Sequence, residues 1–417
     1  MQLNNSIGNR WTGGQYSLFR AIFGTYLFIH FAHLVPWGAE LFSNRGVLSD
    51  GAASPVLHIF PNVLALFDGP VVVIGLLVLA AAASVLLAIG FYDRIAAIAL
   101  WYVLACLFGR NPLIANPGLP YVGVLLLAHA SLPRAPYGSL ERRGQVDPGG
   151  GWRVPQEIYL VVWALMALGY SYSGYTKLIS PSWIDGSAME RVLNNPLARP
   201  SAIRDLFLAL PPVILRGATW GALALELLFA PLALVRRFRP WLWAAMLTMH
   251  LGLIVLIDFA DLSLGMLMLH MFTFDPGWLQ SLRAKPATVF YDGQCGLCHR
   301  AVRFILAEDL AQEAFHFAPL DSDRFRSALP RERRAALPDS LIVLTDEGHL
   351  LSRSSAVLHV MQRLGGLWGI LALLSKLIPG LLRDAIYDVI AQFRHRLFRK
   401  PAETCPMLPR HLRARLE

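Results

Sequence analysis

The hydropathy pattern divides the chain near residue 280. Before that point, apolar runs with few or no charges recur at 16–35, 69–92, 95–108, 121–132, 158–175, 213–235, 241–257 and 262–274. The run 69–92 carries no charged residue at all. A helix that crosses a bilayer needs about 20 predominantly apolar residues. Backbone groups in lipid must bond within their own segment, and the alternation of a barrel strand is absent here, so helices are the spanning form. The pattern predicts an N-terminal polytopic α-helical membrane domain of about eight spans over 10–280. The two shortest runs suit re-entrant or buried helices equally well.

From Arg283 onward the pattern changes. Ala287-Thr288-Val289-Phe290-Tyr291 is a short β-branched and aromatic run after Pro286 and reads as a buried strand. Residues 299–310 carry apolar positions at helical spacing through Val302, Ile305 and Leu306. Further strands are predicted at 314–318, 340–344 and 349–352, the last two joined across Asp346-Glu347-Gly348. A helix follows over 354–364, closed by Gly365-Gly366. Leu382, Ile386, Val389, Phe393 and Leu397 form the apolar stripe of a final helix. That stripe suits packing against the preceding helix. Docking on a membrane surface, helped by Arg394, Arg396, Arg399 and Lys400, is the alternative. The order is βαβ followed by ββα, a C-terminal α/β domain over 286–410.

Composition agrees with this division. Of the 417 residues, 55% are hydrophobic and only 16% charged, too apolar a balance for an ordinary soluble protein. The net charge of +9 comes largely from arginines beside apolar runs and in the C-terminal part. Flanking positive charge is the simpler reading, so a lipid bilayer is the expected partner and nucleic acid is not. With eight spans, the more basic short loops fall on one side together with both termini. Both termini are therefore predicted cytoplasmic. The first apolar stretch shows no small-residue cleavage site of a secretory leader.

Four cysteines exclude a disulfide scaffold. Cys106 lies alone in an apolar run, and Cys405 precedes Pro406. Cys295-Gly296-Leu297-Cys298 is the one close pair, and it falls between a predicted strand and helix. There the helix dipole and free backbone N–H groups stabilise a thiolate on the first cysteine, and the second is one turn away. Zinc would need two more ligands, and no second Cys-x-x-Cys exists. Redox chemistry is the better reading, with protein or small-molecule thiols and disulfides as partners. Asp292 could move a proton during exchange or cap the turn. Arg353 and Ser354 open a helix that could receive an anionic group, although a simple N-cap accounts for Ser354.

In the apolar half, Lys177 ends a run. It reads first as a snorkelling lysine; desolvation would instead make it a usable base. His30, His33, His129, His250 and His270 lie in or beside predicted spans, where an ionisable group is a functional candidate by default. Polar contacts between helices fit their spacing better than haem or metal. The residues call for no metal and no cofactor.

Two resemblances add to this reading. Tyr291-Asp292-Gly293-Gln294-Cys295-Gly296-Leu297-Cys298, Asp339-Ser340, Ser352-Arg353-Ser354-Ser355-Ala356-Val357, Leu364-Gly365-Gly366 and the stretch from Ile378 to Asp388 closely resemble the DCC thiol–disulfide oxidoreductase family. That resemblance implies a thioredoxin-like fold, with Cys295 as attacking and Cys298 as resolving thiol. It also suggests a cis-proline facing the pair, for which Pro338 is the candidate. In the apolar half, Arg20, the stretch His30 to Gly38, Asn44 to Leu48, Tyr172 to Leu178 and Trp183 to Met189 look like the HTTM membrane domain. That domain is related to vitamin K-dependent gamma-carboxylase. The likeness makes Lys177 the candidate base and a quinone the candidate ligand. No glutamate-rich substrate site is evident, so carboxylase activity is not carried over. The whole reads as an integral protein of a bacterial inner membrane.

Overall fold

The computed structural model describes residues 9–114, 116–143, 151–258, 260–279, 285–310, 313–335, 337–338, 340–397 and 415. Cys405 lies outside the described residues. The chain forms two compact units. One, of helices, comprises Phe19–Leu132 and Pro155–Phe274. The other holds the cysteine pair and comprises Met1–Leu18, Pro133–Val154 and Asp275–Glu417.

Every apolar run predicted to span contains a helix. In chain order these are α1 (Gly13–Leu34), the short α2 (Gly38–Phe42), α3 (Pro70–Ile89), α4 (Asp93–Arg110), α5 (Leu119–Ser131), α6 (Gln156–Lys177), α7 (Pro212–Leu227), α8 (Arg239–Leu256) and α9 (Ala260–Thr273). Local chemistry sets several ends. Pro70 starts α3, where its missing N–H costs nothing. Gly90, at φ 69°, ends it in the left-handed conformation that a residue with a Cβ adopts reluctantly.

Eight spans are not shown. Among the described residues, three helical stretches are long and apolar enough to cross a membrane: Gly13–Phe42, Pro70–Ile89 and Arg236–Leu256. A fourth is possible only if Ala202–Leu208 and Pro212–Leu227 count together, and that pair is bent by 102°. The reasons are physical. Helix α5 has 13 residues, about 20 Å of rise against a hydrocarbon core of about 30 Å. Helix α4 carries Asp93, Arg94 and Arg110. The run 213–235 breaks at Leu228. There Pro231 has no N–H to offer the Leu227 carbonyl. The Ser171 hydroxyl takes its place, donating to Leu227 O (3.1 Å) and accepting from Ala230 N (2.9 Å).

Polar groups inside the helical unit pair with one another, as burial demands. Arg20 and His129 both approach Asp93, at 3.4 and 3.5 Å. The Tyr170 hydroxyl lies 2.9 Å from His250 Nε2 and 3.4 Å from His270 Nε2. His30 Nδ1 lies 3.0 Å from Asp261 Oδ1.

The second unit is built on a four-stranded mixed sheet of order β2-β1-β3-β4. Its elements are β1 (Ala287–Tyr291), α10 (Gly296–Glu308), β2 (Phe315–Pro319), β3 (Ile342–Leu344), β4 (Leu350–Ser352), α11 (Arg353–Leu364), α12 (Gly366–Ser375) and α13 (Gly380–Leu397). β1 pairs in parallel with β2 and antiparallel with β3, and β3 pairs antiparallel with β4. β1 is central and buried at all five positions. Its alternate side chains feed two cores: Val289 and Tyr291 meet Val302, Ile305, Phe317 and Val360, whereas Phe290 meets Phe325 and Ile342. β3 starts two residues later than its apolar pattern suggests. Ser340 and Leu341 are occupied instead, Ser340 Oγ accepting from Arg353 N (3.4 Å) and Leu341 N donating to the Tyr387 hydroxyl (2.8 Å).

The N-terminal residues of this unit attach to α10. Glu308, the last residue of that helix, is only 2% exposed. It accepts hydrogen bonds from Gly14 N (2.8 Å), Trp368 Nε1 (2.7 Å) and the Thr12 hydroxyl. Burial pushes its carboxyl above the ordinary value of 4.5, and the hydrogen bonds only partly offset that. Gly14 is required here, because a Cβ would sit 2.7 Å from the Glu308 carboxylate.

Candidate functional site

The cysteine pair is placed by the junction of β1 and α10. The strand ends at Tyr291, and Asp292-Gly293-Gln294 turns the chain. Asp292 Oδ1 accepts from Gln294 N (2.8 Å), and its carbonyl accepts from Cys295 N (3.2 Å). The Asp292 carboxylate thus fixes the turn that delivers the first cysteine. Cys295 is the N-cap of α10, with φ −100° and ψ 120°, and its carbonyl accepts the first helical bond from His299 N (3.2 Å). Cys298 is the third helical residue. An N-cap side chain points back over the third residue of its helix, so the two sulfur-bearing side chains share one turn. The cap position usually holds a hydroxyl or carboxylate that accepts an N–H bond; here a thiol occupies it without such a bond. Free N–H groups and the helix dipole favour negative charge at that end.

Cys295 and Cys298 are not joined as a disulfide. Cys295 is 0% exposed and Cys298 9%. They belong to the core that also holds Tyr291, Val302, Ala356 and Val360. Helix α13 packs against α10 and α11. His299 was not singled out from sequence. Its Nε2 donates to the Gly293 carbonyl at 3.0 Å, and its ring lies 5.6 Å from that of Tyr291. It ties the helix to the turn on the other side of Cys295. Its position directly after the cysteine pair was the available signal.

The remaining candidates are placed as follows. The peptide bond before Pro338 is trans, so the cis-proline suggested by resemblance does not form. Trans is the lower-energy isomer even before proline. Arg353 and Ser354 open α11, but Ser352 is its N-cap. Asp384 of α13 accepts from both Ser354 N (3.2 Å) and the Ser354 hydroxyl. Arg353 Nε pairs with Asp388 Oδ1 at 3.2 Å. The anionic groups that meet this helix start therefore come from the chain itself.

In the helical unit, Lys177 Nζ pairs with the buried Glu226 carboxylate, donates to Ser173 Oγ (2.8 Å) and lies 4.9 Å from the Trp183 ring. Gly174 allows this close approach, since a Cβ there would be 2.5 Å from Leu227 N. Lys177 is an ion-pair partner in this arrangement. Acting as a base would require Glu226 to release it. Among the described residues, no group of three or more His, Cys, Asp or Glu could hold a metal ion.

Comparison with known proteins concerns the cysteine-bearing unit. The family of DCC1-like thiol-disulfide oxidoreductases matches residues 289–400. Protein YuxK of Bacillus subtilis is 33% identical over 125 residues, covering 29% of this chain and 85% of that protein. A chloroplastic DCC family protein of Arabidopsis thaliana is 28% identical over 123 residues, covering 30% of this chain and 70% of that protein. No solved structure matches the chain. A cysteine at the cap of α10, a second at its third residue and the last three residues of the central strand leading into them lie within the matched segment, and through it the chain belongs to the DCC1-like thiol-disulfide oxidoreductase family.

Proposed function

We propose that the chain is a membrane-tethered thiol–disulfide oxidoreductase in which Cys295 attacks and Cys298 resolves. The observation that carries the proposal is the position of Cys295 at the N-cap of α10, one turn from Cys298. The Cys295 thiolate attacks one sulfur of a substrate disulfide. That S–S bond breaks, a mixed disulfide forms, and the departing sulfur takes up a proton. The Cys298 thiolate then attacks Cys295 Sγ and expels the second substrate thiol. Two electrons pass to the substrate, and the protein is left with a Cys295–Cys298 disulfide. A second dithiol must reduce it before another cycle. Asp292, beside the pair in sequence, is the proposed route for the proton.

The sheet order and the placement of the pair support a thioredoxin-like fold. Helices long and apolar enough to cross a membrane supply the tether, and many large apolar side chains on α3, including Val71 and Leu79, face outward. With all eight apolar runs crossing, the short-loop arginines would put the C-terminal unit in the cytoplasm. In that reducing compartment the reductase direction is the natural one.

An HTTM-type membrane half is supported by the meeting of Gly174, Lys177 and Trp183 in one cluster. A quinone- or lipid-binding carboxylase-like membrane enzyme whose thiol domain supplies or senses electrons has weaker support, because Lys177 is held by Glu226. The test is disulfide reduction by the full-length protein in detergent, recharged by a small dithiol. Cys295→Ser should reduce activity to the rate without protein. Undiminished turnover would remove the assignment.

A further inference from the structure

The helical unit contains a cavity of about 290 Å³ between α1, α2, α4, α5 and α9. Its walls are apolar and aromatic, with Phe42, Trp101, Leu104 and Phe108 among them. His30, Asn116 and Asp261 form its polar end. Lys177 does not line it. The size and the contrast between greasy walls and one polar end are those of a small-molecule site.

The polar end is ordered. Asp261 Oδ1 is 3.0 Å from His30 Nδ1 and accepts from the Tyr26 hydroxyl at 3.2 Å. Asp261 Oδ2 accepts from Asn116 Nδ2 at 2.7 Å. A carboxylate bonded to Nδ1–H fixes both the tautomer and the ring direction. In the neutral ring, His30 Nε2 is then a lone-pair acceptor. His30 lines the cavity and its side chain is only 8% exposed, so the ring meets an apolar space and not open water. A wholly apolar ligand would leave it unpaired, and a ligand carrying only acceptors would face a lone pair. The chemistry selects a lipophile that presents one hydroxyl.

We infer that this cavity binds a lipophilic phenol, whose ring and alkyl part fill the apolar walls while its O–H donates to His30 Nε2. Asp261 and Asn116 act as positioning residues that hold the imidazole. The site is independent of the cysteine chemistry proposed above, and binding is expected to be unchanged in Cys295→Ser.

The test uses the full-length protein in lipid nanodiscs. Saturable binding of radiolabelled para-hexylphenol is measured by displacement with unlabelled compound, against para-hexylanisole, in which a methyl group replaces the hydroxyl hydrogen. The phenol should bind at one site per chain. The ether should bind about tenfold more weakly, the effect of one lost hydrogen bond with its acceptor left unpaired. His30→Leu should weaken the phenol about tenfold and leave the ether unchanged. Ala105→Phe, which fills the cavity from α4, should abolish saturable binding of both. Equal affinity of wild-type protein for phenol and ether overturns the inference, as does phenol binding that survives Ala105→Phe. If His30→Leu does not fold, those two comparisons decide the matter by themselves.

Discussion

Asp384, in the first turns of α13, accepts from both the amide and the hydroxyl of Ser354 at the start of α11. One turn further along α13, Asp388 pairs with Arg353, and between them Tyr387 accepts the N–H of Leu341. Three residues of one helix thus tie down the start of α11 and the approach to β3. The same helix packs on α10, which carries the thiols.

That attachment bears on access to the site. Cys295 is fully buried, so attack on a substrate disulfide requires a local opening. Asp384→Ala removes a charged hydrogen-bond acceptor, a loss of about 1.5–3 kcal/mol. The open population should rise at least about tenfold, and alkylation of Cys295 by a bulky maleimide should accelerate in proportion. Mass spectrometry of the labelled peptide reads the rate. An unchanged rate would show that α13 does not limit access.

The buried Glu308 gives a pH dependence of defined sign. Its carboxyl is raised from 4.5 by burial, so the folded state holds its proton more tightly than the unfolded state. The stabilisation is complete below about pH 4.5 and is lost as pH rises through the raised folded value. Glu308→Gln keeps an acceptor for Gly14 N without the charge. The midpoint of thermal unfolding of the cysteine-bearing unit should fall with rising pH in the wild type and fall less steeply in the variant. Parallel pH profiles would contradict this.

Close packing of α6 on α7 predicts a cost for a single methyl group. In Gly174→Ala the added Cβ meets the backbone of Leu227 at 2.5 Å, and backbone cannot rotate away. Overpacking of this kind costs about 1–3 kcal/mol. Thermal unfolding in detergent should show the loss, whereas Gly75→Ala, with open space around the site, should be nearly neutral. Equal effects would remove the steric explanation.

The cysteine site was largely legible in the sequence. Ala287 to Tyr291 is apolar except for Thr288 and buried at every position because β1 is covered on both faces, and a Cys-x-x-Cys after a tight turn marks a helix start. The positions of Asp292, Cys295 and Cys298 follow from those local signals. Features set by distant partners were not legible. Arg353 and Ser354 look like an anion site because Asp384 and Asp388 are some thirty residues away in the chain. His30 and Asp261 are 231 residues apart, and only the fold brings them together. Hydropathy gives eight runs where three or four helical stretches among the described residues have the length and composition of a span, because it averages across Pro231 and across the charges at the ends of α4. Nor does hydropathy reveal that Gly14 and Glu308 belong to one compact unit.

Attack by Cys295 and resolution by Cys298 make a mixed disulfide through Cys295 the expected intermediate. The most direct measurement is capture of mixed disulfides by the full-length Cys298→Ser protein in membranes, resolved on non-reducing gels. Dithiothreitol-sensitive adducts through Cys295 are expected, which vanish in Cys295→Ser/Cys298→Ser and are scarce in the wild type, where Cys298 releases them. Adducts equally abundant in the wild type, or formed through Cys298 in a Cys295→Ser protein and not through Cys295, would contradict that order of attack.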